Sequence, residues 1–294
     1  MEWFLLVVSI AITLAYNLIR NSFSKHSAKS GMDFQVFNLA CSTVSALVLA
    51  AAALITEAPA PSWYTLLLGL VFGVVTALAA LFSMRALERG PASYTTLIVT
   101  SSMMIPALSG WMFFNESLGW VKLAGMVLML LSVLLSVGKD GGERRASLKW
   151  LIMCLLAMLF TGLVGVLQKV HQSSAHSGEL MYFLVVAFAV SAVYSAVALP
   201  VCRAKHEQCS ITLSPRKAIC WMALASGVAI AFANVINLYL SGVMESIVFF
   251  PTVNGANLLL MLLVSVLFLK ERLSARKWLG FAVGCGAIAL LCFG

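Results

Sequence analysis

Runs of about twenty apolar residues, divided by short polar breaks, follow one another from one end of the chain to the other. Such runs match the length of a helix that crosses a bilayer. They predict ten helices, over residues 2–21, 34–55, 63–86, 92–114, 120–138, 149–168, 180–201, 217–240, 246–269 and 277–293. The longest breaks, "KDGGERRASLK" from Lys139 and "CRAKHEQCSITLSPRK" from Cys202, are too short to fold by themselves. Whatever the protein does must therefore be done within the helices. The first run is not expected to be a cleaved leader, because "MEWFLLVV" has an acid where a basic region belongs and no small-residue cleavage site follows.

Composition sharpens this picture. Of 294 residues 62% are hydrophobic and 10% charged, against about 25% charged in a soluble domain, and the mean hydropathy is +1.00. The fold class is an all-α polytopic membrane protein. Seven cysteines fall mostly inside the runs, without metal-ligand spacing, and read as small apolar packers. No metal and no cofactor are expected. An enzyme is not expected either, since HExxH, GxSxG and an intramembrane His-carboxylate cluster are all missing. His171 and His176, on the short connection after the sixth run, read as solvated loop residues.

The net charge of +8 changes the picture through its placement. All basic residues except Lys122 and Lys169 fall in the odd-numbered connections, and Lys and Arg mark the cytoplasmic ends of membrane helices. With ten spans, both termini then lie outside the cytoplasm. A bacterial inner membrane suits this pattern. Anionic lipid is the expected partner of the basic rim, not nucleic acid.

The chain also repeats itself. "FFNESLGWVKLAG" from Phe113 and "LFLKERLSARKWLG" from Leu267 place Glu116 over Glu271, Leu118 over Leu273, Lys122 over Lys277 and Gly125 over Gly280 at one constant offset. "SAKSG" at Ser27 matches "SAHSG" at Ser174, and Tyr16 precedes Lys25 as Phe160 precedes Lys169. The repeats divide the chain into residues 1–142 and 143–294, five spans each. An odd number of spans sends the second copy through the membrane in the opposite sense, so the expected architecture is two inverted five-helix repeats. Many secondary transporters obtain two alternating gates around one site in this way.

These phrases, together with "ALERGPASY" and "YLSGVMESI", resemble the EamA-like branch of the ten-span drug/metabolite transporter superfamily. The resemblance implies a carrier of metabolites, with Glu116, Gly125, Glu271 and Gly280 as signature positions of the two repeats. It supplies no substrate, because the family carries amino acids, sugar nucleotides and other solutes. The chain departs from the family in opening with "MEWF" and in having Tyr16-Asn17 where Trp-Gly is usual.

A polar side chain facing lipid has no hydrogen-bond partner, so intramembrane amides and hydroxyls should turn inward. Asn234 and Asn237 stand three apart on the eighth span, as Asn254 and Asn257 do on the ninth, so each pair shares a helix face. Tyr94, Ser101 and Ser102 lie on the fourth span, Asn17 on the first, Thr161 and Gln168 on the sixth, and Phe250 beside the ninth-span amides. Together they are the candidate lining of a substrate cavity; singly, each is equally suited to hold helices together. Pro106 and Pro251 predict local breaks in helical bonding. Glu116 and Glu271 read as anchors of tight turns beside the spans that follow them, and Glu245 as the candidate for ion coupling. Gly69-x-x-x-Gly73 and Gly280-x-x-x-Gly284 admit close helix contacts, between the halves or in a homodimer. The expected activity is transport of a small polar or zwitterionic molecule, such as an amino acid; a lipid flippase and a non-transporting scaffold are the alternatives.

Overall fold

The computed structural model describes residues 1–26, 30–136, 147–204, 216–267 and 274–293. Its helices are α1 (Glu2–His26), α2 (Gly31–Ile55), α3 (Trp63–Arg89), α4 (Ala92–Thr100), α5 (Met104–Phe113), α6 (Trp120–Ser136), α7 (Leu148–Gln172), α8 (Leu180–Ala204), α9 (Arg216–Val243), α10 (Ser246–Leu267) and α11 (Ala275–Phe293). Helices α4 and α5 form a single span, Tyr94–Phe113, interrupted by a 3₁₀ turn at Ser101–Met103. Among the described residues, nine helical stretches are long and apolar enough to cross a membrane, and the shorter α6 completes ten. The protein is an all-helical, multi-pass membrane protein.

Local chemistry sets the helix ends. Ser30 and Asp33 form a reciprocal capping box at the start of α2, satisfying two backbone donors that the first turn leaves unpaired. Ser62 accepts from the Thr65 amide at the start of α3, and Ser147 from the Trp150 amide at the start of α7. The fourth span breaks immediately ahead of Pro106. That residue then falls in the first turn of α5, where its missing N–H would have no helical partner anyway. Pro251, by contrast, lies within a continuous α10.

The contacts gather into two compact units. The first comprises Met1–Ala77 and His171–Tyr239, the second Leu78–Val170 and Leu240–Gly294. Each unit thus draws on both sides of the 142/143 division between the sequence repeats.

In the first unit α2 packs along α8, with Asn38 donating to Ser195 (2.7 Å) and Ser42 bonded to Ser191 (3.1 Å). Ser45 donates to the Gly227 carbonyl of α9 (2.8 Å). Helix α3 approaches α8 through Gly69 and Gly73; a Cβ on Gly73 would lie 2.6 Å from Cβ of Val190. Phe23 stacks on Phe37 at 4.0 Å within a cluster that includes Cys41, Ile219 and Ala223.

In the second unit α6 packs along α11. Gly284 leaves room for the Ser132 and Leu259 side chains, and Ser132 donates to the Gly280 carbonyl at 2.7 Å. Met103, Met129, Val133 and Ala287 form the core beside them. Both glycine pairs are thus occupied inside the chain. Small residues suit this solvent, because apolar helices gain little by leaving lipid for each other and associate through close packing and interhelical hydrogen bonds.

Candidate functional site

The most highly charged buried site of the second unit is built by the phrase that repeats. After α5 the chain turns at Asn115, whose φ of 53° is in the left-handed region that asparagine tolerates. The Gly110 carbonyl accepts both the Phe114 and Glu116 amides (3.1 and 3.2 Å), which brings the Glu116 carboxylate back over Gly110. Any side chain at Gly110 would collide with that carboxylate.

Glu116 then caps a helix distant in sequence. It accepts from the backbone amide of Ser246 at 2.7 Å and from its hydroxyl at 3.0 Å, at the first turn of α10. Lys169, near the end of α7, places Nζ 2.7 Å from Glu116 Oε1 and also donates to the Met244 carbonyl at 3.1 Å. The side chains of this pair are only 7% and 9% exposed. A helix N-terminus carries partial positive charge and a lysine a full one, so the carboxylate lies between two groups of complementary charge. Beside it Lys122 holds Glu245 at 2.5 Å, and Ser117 donates to the same carboxylate at 3.2 Å. Two ion pairs therefore converge on residues 244–246. The turn expected at Glu116 is present, but the helix it caps is α10 and not the adjoining α6.

The uncharged polar residues divide between the units. Asn17, Asn234 and Asn237 belong to the first. Asn17 is half-buried, Asn234 donates Nδ2 to the Ile230 carbonyl (2.9 Å), and Asn237 Oδ1 accepts from Ser9 at 2.5 Å. Tyr94, Ser101, Ser102, Thr161, Gln168, Phe250, Asn254 and Asn257 belong to the second. Tyr94 is exposed, Thr161 half-buried, and Ser102, Gln168 and Phe250 are buried. Ser101 donates to the Leu97 carbonyl at 2.9 Å, within the 3₁₀ interruption that packs against α10. Asn254, in the middle of α10, is exposed and donates Nδ2 to the Phe250 carbonyl (2.8 Å). Asn257 donates to the Val253 carbonyl (2.9 Å), while its Oδ1 is buried without a partner among the described residues.

A further polar cluster lies in the first unit. Glu179 accepts from the Ser62 amide (2.8 Å) and hydroxyl (2.7 Å) and sits 2.9 Å from His176 Nδ1. Tyr64 stacks on His176 with centroids 5.4 Å apart. His171 is fully buried: Nε2 lies 3.5 Å from Thr65 Oγ1, Nδ1 lies 3.1 Å from Gln172 Nε2, and the ring rests 4.4 Å from that of Phe183. This corrects the expectation of a solvated loop, because α7 continues to Gln172 and carries His171 inside the helical packing. No group of three or more His, Cys, Asp or Glu among the described residues is arranged to hold a metal ion.

Residues 1–138 match the model of the EamA-like transporter family. This part of the chain is similar to that family. It is a membrane transporter family of the drug/metabolite type, and the turn at Glu116 lies inside the matched residues. Gly125, a second signature position, packs against Leu291 of α11. Its counterpart Gly280 lies against Ser136 of α6, beyond the match, and Glu271 lies outside the described residues. A crystal structure of another protein superposes on 99% of this chain and 96% of its own length, with a TM-score of 0.73 and 16% identity. At that identity the likeness shows the fold alone. No curated protein matches the chain in sequence.

The convergence of Lys122 and Lys169 on two carboxylates escaped the reading of the sequence, although a signal was present. They are the only basic residues of the even connections, and a lone lysine at a span end near equally isolated glutamates invites pairing.

Proposed function

We propose that the protein is a secondary transporter that exports a small polar or zwitterionic metabolite, such as an amino acid, by alternating access around a cavity lined by its uncharged polar residues. One observation carries the reading: Asn254 is exposed at the middle of α10. At that depth an amide meets either hydrocarbon, which offers no hydrogen-bond partner, or water in a cavity, and water is the cheaper surrounding. A scaffold has no use for such a residue.

Charge supports a solute without net charge. Lys122 and Lys169 each have a carboxylate partner, so the second unit holds these cations already compensated. Glu245 is the candidate coupling group, and its bond to Lys122 would have to exchange for a proton to bind. We place the protein in a bacterial inner membrane with both termini outside the cytoplasm, from the distribution of lysine and arginine.

The test is purified protein in liposomes, screened against pooled metabolites for accumulation or counterflow. Uptake of one or more zwitterionic solutes is expected. Failure to move any solute, from protein shown to be folded, would remove the transport reading.

A further inference from the structure

Three amides inside the membrane make the same bond. Asn234, Asn254 and Asn257 each donate Nδ2 to the backbone carbonyl four residues earlier, at 2.9, 2.8 and 2.9 Å. A carbonyl can only accept, so the nitrogen of each amide must face it, and the oxygen is left on the other arm, turned away from that carbonyl. An asparagine is both donor and acceptor in the sequence. The back-bond makes it chiefly an acceptor toward a ligand.

On α10 two such acceptors occur together. Asn254 and Asn257 stand three residues apart and share a helix face; Asn254 is exposed, and Asn257 Oδ1 is buried with no partner among the described residues. Buried polar atoms in folded proteins are nearly always paired, and one that is not marks strain, function or a missing ligand. Lys122 and Lys169 are held by carboxylates at the start of α10, a helix end that lies about 12 Å along the axis from Asn254 at 1.5 Å per residue.

We propose that this face of α10 is the subsite for a hydrogen-bond donor on the solute, an ammonium or comparable N–H-rich group, and that it discriminates against a carboxylate offered at the same place. Calling the ligand a transported solute rests on the reading above; the acceptor character of the face does not.

The test uses two probes of like shape and opposite charge, n-butylammonium chloride and sodium pentanoate, with the purified full-length protein and its melting temperature as the reading. Butylammonium is expected to raise the melting temperature of the wild type, and pentanoate to leave it unchanged. N254L should weaken butylammonium about tenfold, and N254D should strengthen it by about as much, because a charged acceptor binds an ammonium more tightly than a neutral one. Where N254L lowers the yield of folded protein, N254D supplies the second reading. The absence of any butylammonium effect, an equal effect of pentanoate, or unchanged binding in both variants overturns the proposal. The two readings separate cleanly: a solute carried equally well by N254L sinks the subsite and keeps transport, whereas butylammonium binding that N254D strengthens, with no solute moved, keeps the subsite and sinks transport.

Discussion

Asn237 and Asn254 each belong to a pair of amides three residues apart, yet their surroundings assign them different consequences. Asn237 is bonded to Ser9 across two helices, whereas Asn254 bonds within its own helix and is exposed. Asn237→Leu should therefore cost stability, about 0.6 to 2 kcal/mol for one interhelical bond, seen as a lower melting temperature. Asn254→Leu should leave the melting temperature in place and abolish solute uptake in liposomes; full uptake by this variant would return Asn254 to a packing role. The Glu116–Lys169 pair gives the sharper stability contrast. Glu116→Gln or Lys169→Met alone leaves a buried charge uncompensated and is expected to cost about 3–5 kcal/mol. The double variant should be clearly milder than the sum of the two, and melting temperatures of all four proteins measure the coupling. Additive losses would mean that the charges do not act as a pair.

At the scale of helices, the glycines that allow close approach should be intolerant and the others should not. Gly73→Val drives a branched side chain into Val190 of α8 and is expected to cost about 1–3 kcal/mol. Gly286, on α11, meets nothing within 4 Å. Gly286→Ala should be neutral or gain about 0.5–1 kcal/mol from helix propensity. Equal effects would show that packing at α3 and α8 is looser than described. Much of this level was legible beforehand. Span number and span ends follow from lengths of apolar runs, which the bilayer sets, and the two Gly-x-x-x-Gly pairs could be recognised because only small residues let helix backbones approach. What was not legible depends on contacts between distant segments. That Glu116 caps α10 in preference to α6, and that α7 carries His171 inward, are set by which helices become neighbours, and periodicity within one span does not encode that. The polar residues named from their spacing are the intermediate case. Their faces could be read, but the back-bond that occupies one amide donor of Asn254 and Asn257 and turns the oxygen outward depends on side-chain rotamers.

For the whole molecule the remaining question is its sense in the membrane, and the charge distribution predicts one in a form that labelling can check. Ser147 opens α7 after the basic connection containing Arg144 and Arg145, and Ser177 lies in the turn before α8. Moving a lysine or arginine across the bilayer is costly, and insertion retains basic connections on the cytoplasmic side. In a background freed of its native cysteines, Ser147→Cys should be protected from an impermeant thiol reagent in intact cells and Ser177→Cys should react. The two sites bracket a single helix, so each controls for access to the other. The reverse pattern would place both termini in the cytoplasm, and every connection would change sides with them. It would also move the Glu116–Lys169 pair, close to the Ser177 end of α7, to the cytoplasmic end of that helix. The expectation of inverted repeats would survive that result, because it rests on an odd number of spans in each half of the sequence; the side on which the ion pairs at α10 lie would not.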